Sequence, residues 1–225
     1  PEVEEFLDVR KPTGGDVNRK STNLHHGVLL SDEFMELIEK ATKIEGFDDS
    51  WDLVDPHSGE IKKTVSAKTL WVKLIQNRVE TGEPYIMFKD TVQEAVPEFQ
   101  QNLGLTVHHS NLCSEITLAT DKDRTAVCCL SSVNLEEYDE WKDNDDFIPD
   151  LVRMLDNVIE FFINNAPDQL SRASYSAMRE RSLGLGAMGF HAYLQRHSIP
   201  FESAMAKGRN LQMFGRIKGE AVRAT

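Results

Sequence analysis

Apolar residues recur at helical spacing in two stretches of the first half of the chain. The stretch SDEFMELIEKATK, which starts at Ser31, has apolar residues at i, i+3, i+4 and i+7, namely Phe34, Leu37, Ile38 and Ala41. The stretch SAKTLWVKLIQNRVETG, which starts at Ser66, has a similar apolar face formed by Trp71, Leu74, Ile75 and Val79. Serine is a common N-cap residue and glycine a common residue after a helix. We therefore predict amphipathic helices behind Ser31 and Ser66, with Gly82 ending the second.

The second half of the chain predicts a longer helix that begins at Pro149. Its broad apolar face consists of Leu151, Val152, Leu155, Val158, Ile159 and Phe162. The short apolar run YIMF, residues 85–88, predicts a buried strand. The segments NLCSEITLAT and AVCCLSSVNL flank a turn-like DKDR and are rich in apolar and β-branched residues, so they predict extended chain. The predicted class is mixed α/β, with KPTGGDVNRKST as a flexible loop.

Composition and charge exclude several classes of protein. The 225 residues are 40% hydrophobic, as in ordinary globular proteins. There are 25 Lys and Arg against 37 Asp and Glu, a net charge of -12, so we expect no nucleic-acid polymer as partner. No apolar run approaches the roughly 18 residues of a membrane span. The start PEVEEFLDVR lacks the features of a signal peptide, so we expect no membrane association and a cytoplasmic location.

The three cysteines all lie within residues 110–135, SNLCSEITLATDKDRTAVCCLSSVNL. In extended chain, residues two apart share one face, about 6.5 to 7 Å from each other. Asn111, Cys113 and Glu115 would then present an amide, a thiol and a carboxylate to one ligand about the size of a sugar. The alternative is that Cys113 is a small buried apolar residue and Glu115 a solvated carboxylate.

The neighbouring cysteines Cys128 and Cys129 raise the odds of thiol chemistry, because reduction by thiols needs a pair that can form a disulfide. Adjacent residues of a strand point to opposite faces, and a disulfide between them would be strained. At most one of the two is expected to face the site of Cys113. Three cysteines in a chain of this length do not form a disulfide framework.

The sequence contains partial signals for two other sites, a zinc site and a dinucleotide-binding site. Five side chains could ligate zinc, namely His108, His109, Cys113, Cys128 and Cys129. The cysteine pairs with two to four intervening residues that are typical of structural zinc sites are missing, so we expect no metal site. His25 and His26 are expected to be structural or to line a loop. The sequence GLGAMG fits the dinucleotide-binding pattern but follows the charged SAMRERSL. We expect its glycines to permit close packing at the start of the helix FHAYLQRH.

Six blocks in the order of a known family carry a resemblance that spans nearly the whole chain: PEVEEFLDVRKPTGGD, NRKSTNLHHGVLLSDEFM, ETGEPYIMFKD, SNLCSEI, AVCCLSSVNLEEYDEW and RERSLGLGAMGFHAYL. The chain resembles the catalytic large subunit of class I ribonucleotide reductases. The resemblance implies part of a ten-stranded α/β barrel, in which a finger-like loop carries NLCSE at its tip. Residues 1–225 would be the central part of this barrel domain, incomplete at both ends.

The resemblance also implies roles for individual residues. Cys113 matches the cysteine that becomes a thiyl radical and takes the 3'-hydrogen of the ribose. Glu115 matches the carboxylate that accepts the 3'-hydroxyl proton, and Asn111 the amide that binds the sugar hydroxyls. Cys128 matches one half of the reducing dithiol, whose other half is expected before residue 1, and Cys129 is assigned no role. We expect the site to be enclosed and dry, since a sulfur radical must meet little besides the sugar.

The same family implies partners. The radical would come from a metal-containing small subunit, with no cofactor bound directly by this chain. Deoxynucleoside triphosphates and ATP would be effectors, and a loop with Thr13, Gly14, Gly15, Asn18 and Arg19 would relay their identity to the substrate pocket. A thioredoxin- or glutaredoxin-type protein would be the reductant, and the complete large subunit a homodimer.

Two alternatives stay open beside this interpretation. One is a class II reductase, in which adenosylcobalamin makes the radical. The other is a binding module, the product of a split or degenerate gene. Residue 1 is Pro and the last segment is still helix-like, so we expect a piece of a longer protein that has no reductase activity by itself.

Overall fold

A computed structural model of the chain describes residues 2–225, which divide into two compact units after Ala119. The elements of the first unit are α1 Val3–Leu7, β1 Gly27–Leu30, α2 Asp32–Lys43, β2 Ser50–Val54, β3 Ile61–Ser66, α3 Ala67–Thr81, β4 Tyr85–Phe88, α4 Lys89–Glu94 and α5 Glu98–Asn102. Strands β1 and β4 pair in parallel, with Gly27 opposite Tyr85. Strands β2 and β3 form an antiparallel pair.

The two predicted helices of this unit are confirmed with their caps. The Ser31 hydroxyl accepts a hydrogen bond from the backbone N–H of Phe34 at 3.2 Å. The Ser66 hydroxyl accepts from that of Thr69 at 3.1 Å. Gly82 ends α3 with a φ of 78°, in the left-handed region that glycine adopts without a steric penalty.

The core of the first unit consists of Leu7, Leu30, Phe34, Ile38, Leu53, Ala67, Leu70 and Leu74. The predicted face of α3 is wrong at Val79, which is 82% exposed. The buried position nearby is Asn77, fully inaccessible, whose side-chain amide donates to the Asp8 carboxylate at 3.0 Å. This hydrogen bond offsets part of the cost of burying an amide, which apolar periodicity alone does not anticipate. The YIMF strand is confirmed, although it is fully buried only at Met87.

The second unit contains β5 Cys129–Asn134, α6 Tyr138–Trp141, α7 Phe147–Asn165, α8 Ser171–Glu180, β6 Leu183–Met188, α9 Phe190–Arg196 and α10 Ala204–Ala224. Strands β5 and β6 pair in parallel, with Cys129 opposite Leu183. The GLGAMG sequence is therefore not a phosphate-binding turn: Gly184 and Gly186 lie within β6, and only Gly189 stands at the start of α9.

Helix α7 covers the parallel pair and supplies the centre of the second unit. It begins at Phe147 rather than at Pro149, because proline is tolerated in the first turn, where backbone N–H groups lack helical partners. Its buried residues are Ile148, Val152, Leu155 and Ile159. The predicted face is wrong at Val158, which is 47% exposed. Within residues 2–225, none of the helices is both long enough and apolar enough to cross a membrane.

Candidate functional site

Cys113 lies in a turn of the first unit, beyond α5. The backbone N–H of Ser114 donates to the carbonyl oxygen of Asn111 at 3.0 Å, which closes a four-residue turn. Ser114 has a φ of 65°, in the left-handed region that a non-glycine residue adopts only under local constraint. The prediction of extended chain here is wrong, and Asn111, Cys113 and Glu115 do not alternate along a strand. They share one loop tip, as the family resemblance implies.

The side chains of Ser110 and Asn111 close this loop, each through a hydrogen bond with the backbone of Ile116. The backbone N–H of Ile116 donates to the side-chain oxygen of Asn111 at 3.1 Å. The hydroxyl of Ser110 donates to the carbonyl oxygen of Ile116 at 2.6 Å. Because the oxygen of the Asn111 amide is used by the loop, its NH₂ group is what this residue can offer to a ligand.

The tip of the loop is open to solvent. Cys113 and Glu115 are both exposed, and Leu112 between Asn111 and the thiol is 51% exposed. The expected enclosure refers to the complete barrel, and residues 2–225 alone do not cover the thiol. An exposed thiol is chemically accessible, so the loop presents Cys113 rather than burying it.

Tyr85 of β4 and His109 hold the base of the loop. The Tyr85 hydroxyl donates to the carbonyl oxygen of Ser110 at 3.2 Å and lies 3.2 Å from Nδ1 of His109. The backbone N–H of Ser110 donates to the same Nδ1 at 2.9 Å. The two rings meet edge to face with centroids 5.5 Å apart. From the sequence, Tyr85 is predicted only as part of a strand and His109 is considered only as a zinc ligand, and nothing marks that the two side chains meet.

Gln93 of α4 fixes the segment that leads into the loop. Its side-chain NH₂ donates to the carbonyl oxygen of Leu105 at 3.1 Å, and its side-chain oxygen accepts from the N–H of Val107 at 3.1 Å. Val107 is buried against Met87 and Val96. The amide thus replaces the strand partner that residues 105–107 lack.

The other two cysteines belong to the second unit. Cys129 opens β5, where its N–H donates to the carbonyl oxygen of Ser182 at 3.3 Å. Burial raises the pKa of its thiol. Cys128 directly precedes the strand, and its Sγ lies 3.5 Å from the point that a Cβ at Gly184 would occupy. A terminal methyl group of Leu130 lies closer still to the same point, so the side chains of Cys128 and Leu130 are both on the face of the strand pair where Gly184 has no side chain.

The predicted effector loop lines a cleft of about 520 Å³ in the first unit. Residues 17–19 form a single 3-10 turn in which the Asp16 carboxylate accepts from the N–H of Asn18 at 2.9 Å. The Arg19 guanidinium already pairs with Glu5 at 2.8 Å. Gly14 and Gly15 have φ values of 78° and 71°, and Thr13 lies beside them on the cleft.

Lys73 and Asp8 form an ion pair at the floor of this cleft. The lysine Nζ lies 2.8 Å from a carboxylate oxygen of Asp8. Burial works against ionisation of Asp8, but hydrogen bonds from Lys73 and Asn77 and the charge of Lys11 hold the pKa of this carboxyl below its usual range. The acid is therefore ionised at neutral pH.

The histidine doublet lies in the first unit, with His26 buried and His25 exposed. His25 Nδ1 is 2.7 Å from the Glu83 carboxylate. His26 packs edge to face on Phe6, with centroids 4.8 Å apart, and burial lowers its pKa. Among residues 2–225, no group of three or more His, Cys, Asp and Glu side chains is arranged to hold a metal ion.

The whole chain is similar to known proteins. A family model described as "Ribonucleotide reductase, barrel domain" matches residues 1–225. The putative ribonucleoside-diphosphate reductase large subunit of Frog virus 3 (isolate Goorha) is 50% identical over 228 residues, which cover 100% of this chain and 39% of the relative. The ribonucleoside-diphosphate reductase large subunit of Invertebrate iridescent virus 3 is 41% identical over 270 residues, covering 99% of this chain and 43% of the relative.

A solved structure agrees with these matches. The class Id ribonucleotide reductase alpha subunit of Actinobacillus ureae superposes with a TM-score of 0.80 at 33% identity. The match covers 99% of this chain and 38% of that protein. The chain thus has the fold of part of the reductase barrel, and it spans about two fifths of the length of the relatives that it matches.

Proposed function

This chain belongs to the ribonucleotide reductase barrel domain family, and we propose that it is the central segment of a class I ribonucleoside-diphosphate reductase large subunit. The observation that carries the proposal is the family match over every residue, together with one closed turn that holds Asn111, Cys113 and Glu115 at its exposed tip. The proposed reaction converts a ribonucleotide and a dithiol into a 2'-deoxyribonucleotide, a disulfide and water.

The turn supplies the groups that act on the sugar. Cys113, as a thiyl radical, takes the hydrogen atom from C3' and later returns it. Glu115 accepts the proton of the 3'-hydroxyl, and the NH₂ group of Asn111 donates to the sugar oxygens. The structural support for this last role is that the Asn111 oxygen is already occupied by the N–H of Ile116.

The second unit supplies part of the reductant. Cys128 is proposed as one half of a dithiol whose other cysteine comes from another segment of the large subunit. The dithiol gives two electrons and two protons, the 2'-hydroxyl leaves as water, and a disulfide forms. Cys129 is a poor candidate for this role because burial raises the pKa of its thiol and so lowers its thiolate fraction.

The proposed partners follow from the same assignment. The relatives are named as large and alpha subunits, which favours a small subunit as the source of the radical and disfavours a class II enzyme that relies on adenosylcobalamin. Their names also favour diphosphates as substrates. Effector nucleotides, a thioredoxin- or glutaredoxin-type reductant, a homodimeric large subunit and a cytoplasmic location belong to this proposal, as does the loop of Thr13, Gly14, Gly15, Asn18 and Arg19.

The test is a reductase assay with the complete large subunit. Ribonucleoside diphosphates and a dithiol are supplied, either with the small subunit or with adenosylcobalamin instead. We expect deoxynucleotides only in the first mixture. Product with adenosylcobalamin alone would assign the protein to class II, and the absence of product from both mixtures, with nucleotide binding retained, would favour a binding module.

A further inference from the structure

Tyr85 and His109 are linked to the loop of Cys113 by hydrogen bonds to a single residue, Ser110. We propose that Tyr85 and His109 are positioning residues, which fix the backbone at the base of the loop and thereby hold Cys113 where it can reach the sugar. This inference rests on the proposed function, since it assigns a role in the chemistry of the same loop.

Ser110 is held through all three of its polar groups. Its N–H donates to Nδ1 of His109, its carbonyl oxygen accepts from Tyr85, and its hydroxyl donates to the carbonyl oxygen of Ile116. Ser110 and Ile116 are the two ends of the loop, so fixing Ser110 fixes the frame from which Cys113 projects. Misplacing a reacting group by about 1 Å costs roughly 100-fold in rate.

The position of Tyr85 is set by the neighbouring strand. Gly27 of β1 stands opposite Tyr85 in the parallel register. A Cβ at Gly27 would lie 2.5 Å and 2.7 Å from two carbon atoms of the tyrosine ring, closer than non-bonded atoms approach. The ring therefore lies flat over a residue that has no side chain, and from there its hydroxyl reaches the loop.

The hydroxyl of Tyr85 acts as a donor at neutral pH. Burial, with a smaller effect from Glu83, raises the pKa of this phenol, so it keeps its proton. His109 acts as an acceptor at Nδ1, because the N–H of Ser110 points at that atom. With Nδ1 as the acceptor, the ring hydrogen lies on Nε2. The donor and the acceptor thus match the carbonyl and the N–H of Ser110.

A positioning role of the Tyr85 hydroxyl affects kcat, whereas a purely structural role would affect thermal stability. Tyr85→Phe keeps the ring over Gly27 and the edge contact with His109, and removes only the hydroxyl. Loss of that hydroxyl should leave folding and nucleotide binding almost unchanged but let the loop shift. A positioning role therefore predicts a fall in kcat without a matching change in KM or in thermal stability.

The experiment uses the complete large subunit assayed with its small subunit. We expect Tyr85→Phe to lower kcat roughly 10- to 100-fold, with KM for the ribonucleotide and the melting temperature nearly unchanged. Tyr175→Phe is the matched control, because the ring of Tyr175 packs under Arg124 and Arg179 in the other unit. This control should keep the activity of the unmodified protein.

Substitutions of His109 test the positioning role independently of Tyr85. His109→Ala removes the acceptor for the N–H of Ser110 and should also lower kcat. His109→Asn places an amide oxygen near the former Nδ1 and should recover much of the loss. Equal losses in the Ala and Asn variants would contradict the assigned role of Nδ1.

The inference is overturned if Tyr85→Phe keeps the kcat of the unmodified protein. It is also overturned if the fall in kcat is accompanied by a fall in melting temperature large enough to unfold the protein under the assay conditions. Cys113→Ser, assayed in parallel, separates this failure from failure of the proposed function. Turnover by Cys113→Ser would remove the proposed function itself. An inactive Cys113→Ser beside a fully active Tyr85→Phe would remove only the positioning role.

Discussion

The backbone N–H of Ile116 donates a hydrogen bond to the side-chain oxygen of Asn111 across 3.1 Å. This contact joins the two sides of the loop and leaves the NH₂ group of the same amide free to bind a ligand. One side chain thus combines an oxygen that holds the loop with an NH₂ group that the proposed function assigns to the sugar, and the two can be separated by substitution.

Asn111→Asp should keep the hydrogen bond from Ile116 and lose the NH₂ donor, because a carboxylate accepts a hydrogen bond but cannot donate one. Asn111→Ala should lose both. A net hydrogen bond is worth about 1 kcal/mol, so the amide of Ile116 should exchange with solvent roughly fivefold faster in the Ala variant than in the Asp variant. Both variants should lose reductase turnover in the complete protein. Equal exchange rates in the unmodified, Asp and Ala proteins would contradict this division.

The thiols of Cys113 and Cys129 should differ in reactivity. Cys113 is exposed, whereas Cys129 is half-buried and its pKa is raised by burial. Because the thiolate is the nucleophile, iodoacetamide should label Cys113 of the folded chain about tenfold faster than Cys129 near neutral pH. Peptide mass mapping over time gives both rates, and labelling in concentrated urea is the control in which the difference disappears. Equal rates in the folded chain would contradict the burial of Cys129.

Neighbouring residues of α7 should differ in their contribution to stability. Ile159 is fully buried and Val158 is 47% exposed. Ile159→Ala should lower the free energy of unfolding of its unit by about 2 to 5 kcal/mol, because it leaves a cavity. Val158→Ala should change it by about 0.5 kcal/mol or less, since alanine has the better helix propensity. Urea unfolding followed by circular dichroism measures both, and similar losses would place the apolar face of α7 elsewhere.

Asp8 should stabilise the first unit in a pH-dependent way. Its pKa is lower in the folded chain than the usual value near 3.9. The ionised group therefore stabilises the fold above that value, and the contribution is lost as the pH falls through the lower folded pKa. Asp8→Asn should be less stable by about 1 kcal/mol near neutral pH, and the difference should shrink in acid. A difference that stays constant from neutral to strongly acidic pH would argue against the pairing with Lys73.

The helices and their caps could be predicted because they depend on short-range rules. Ser31 and Ser66 cap the helices that follow them, and Gly82 ends the second. The faces were less predictable, since burial depends on what packs against the helix. Val79 and Val158 fit the apolar spacing yet lie in solvent, whereas Asn77 is buried because Asp8 accepts its hydrogen bond.

The loop of Cys113 shows where local patterns fail. The apolar and β-branched residues after Asn111 favour a strand, but the left-handed Ser114 and the bond from Ile116 to the Asn111 side chain produce a turn. The family resemblance implied a loop at this position, and the structure agrees with it. The contact between Tyr85 and His109 could not be predicted from the sequence, because it depends on the pairing of β1 with β4.

The most direct test of the central claim, that Cys113 performs the radical step, is the turnover of Cys113→Ser in the complete large subunit with its small subunit. Serine is close to cysteine in size but cannot form the thiyl radical. We predict no detectable deoxynucleotide, with ribonucleotide affinity nearly unchanged. Deoxynucleotide formation at a rate close to that of the unmodified protein would contradict the claim.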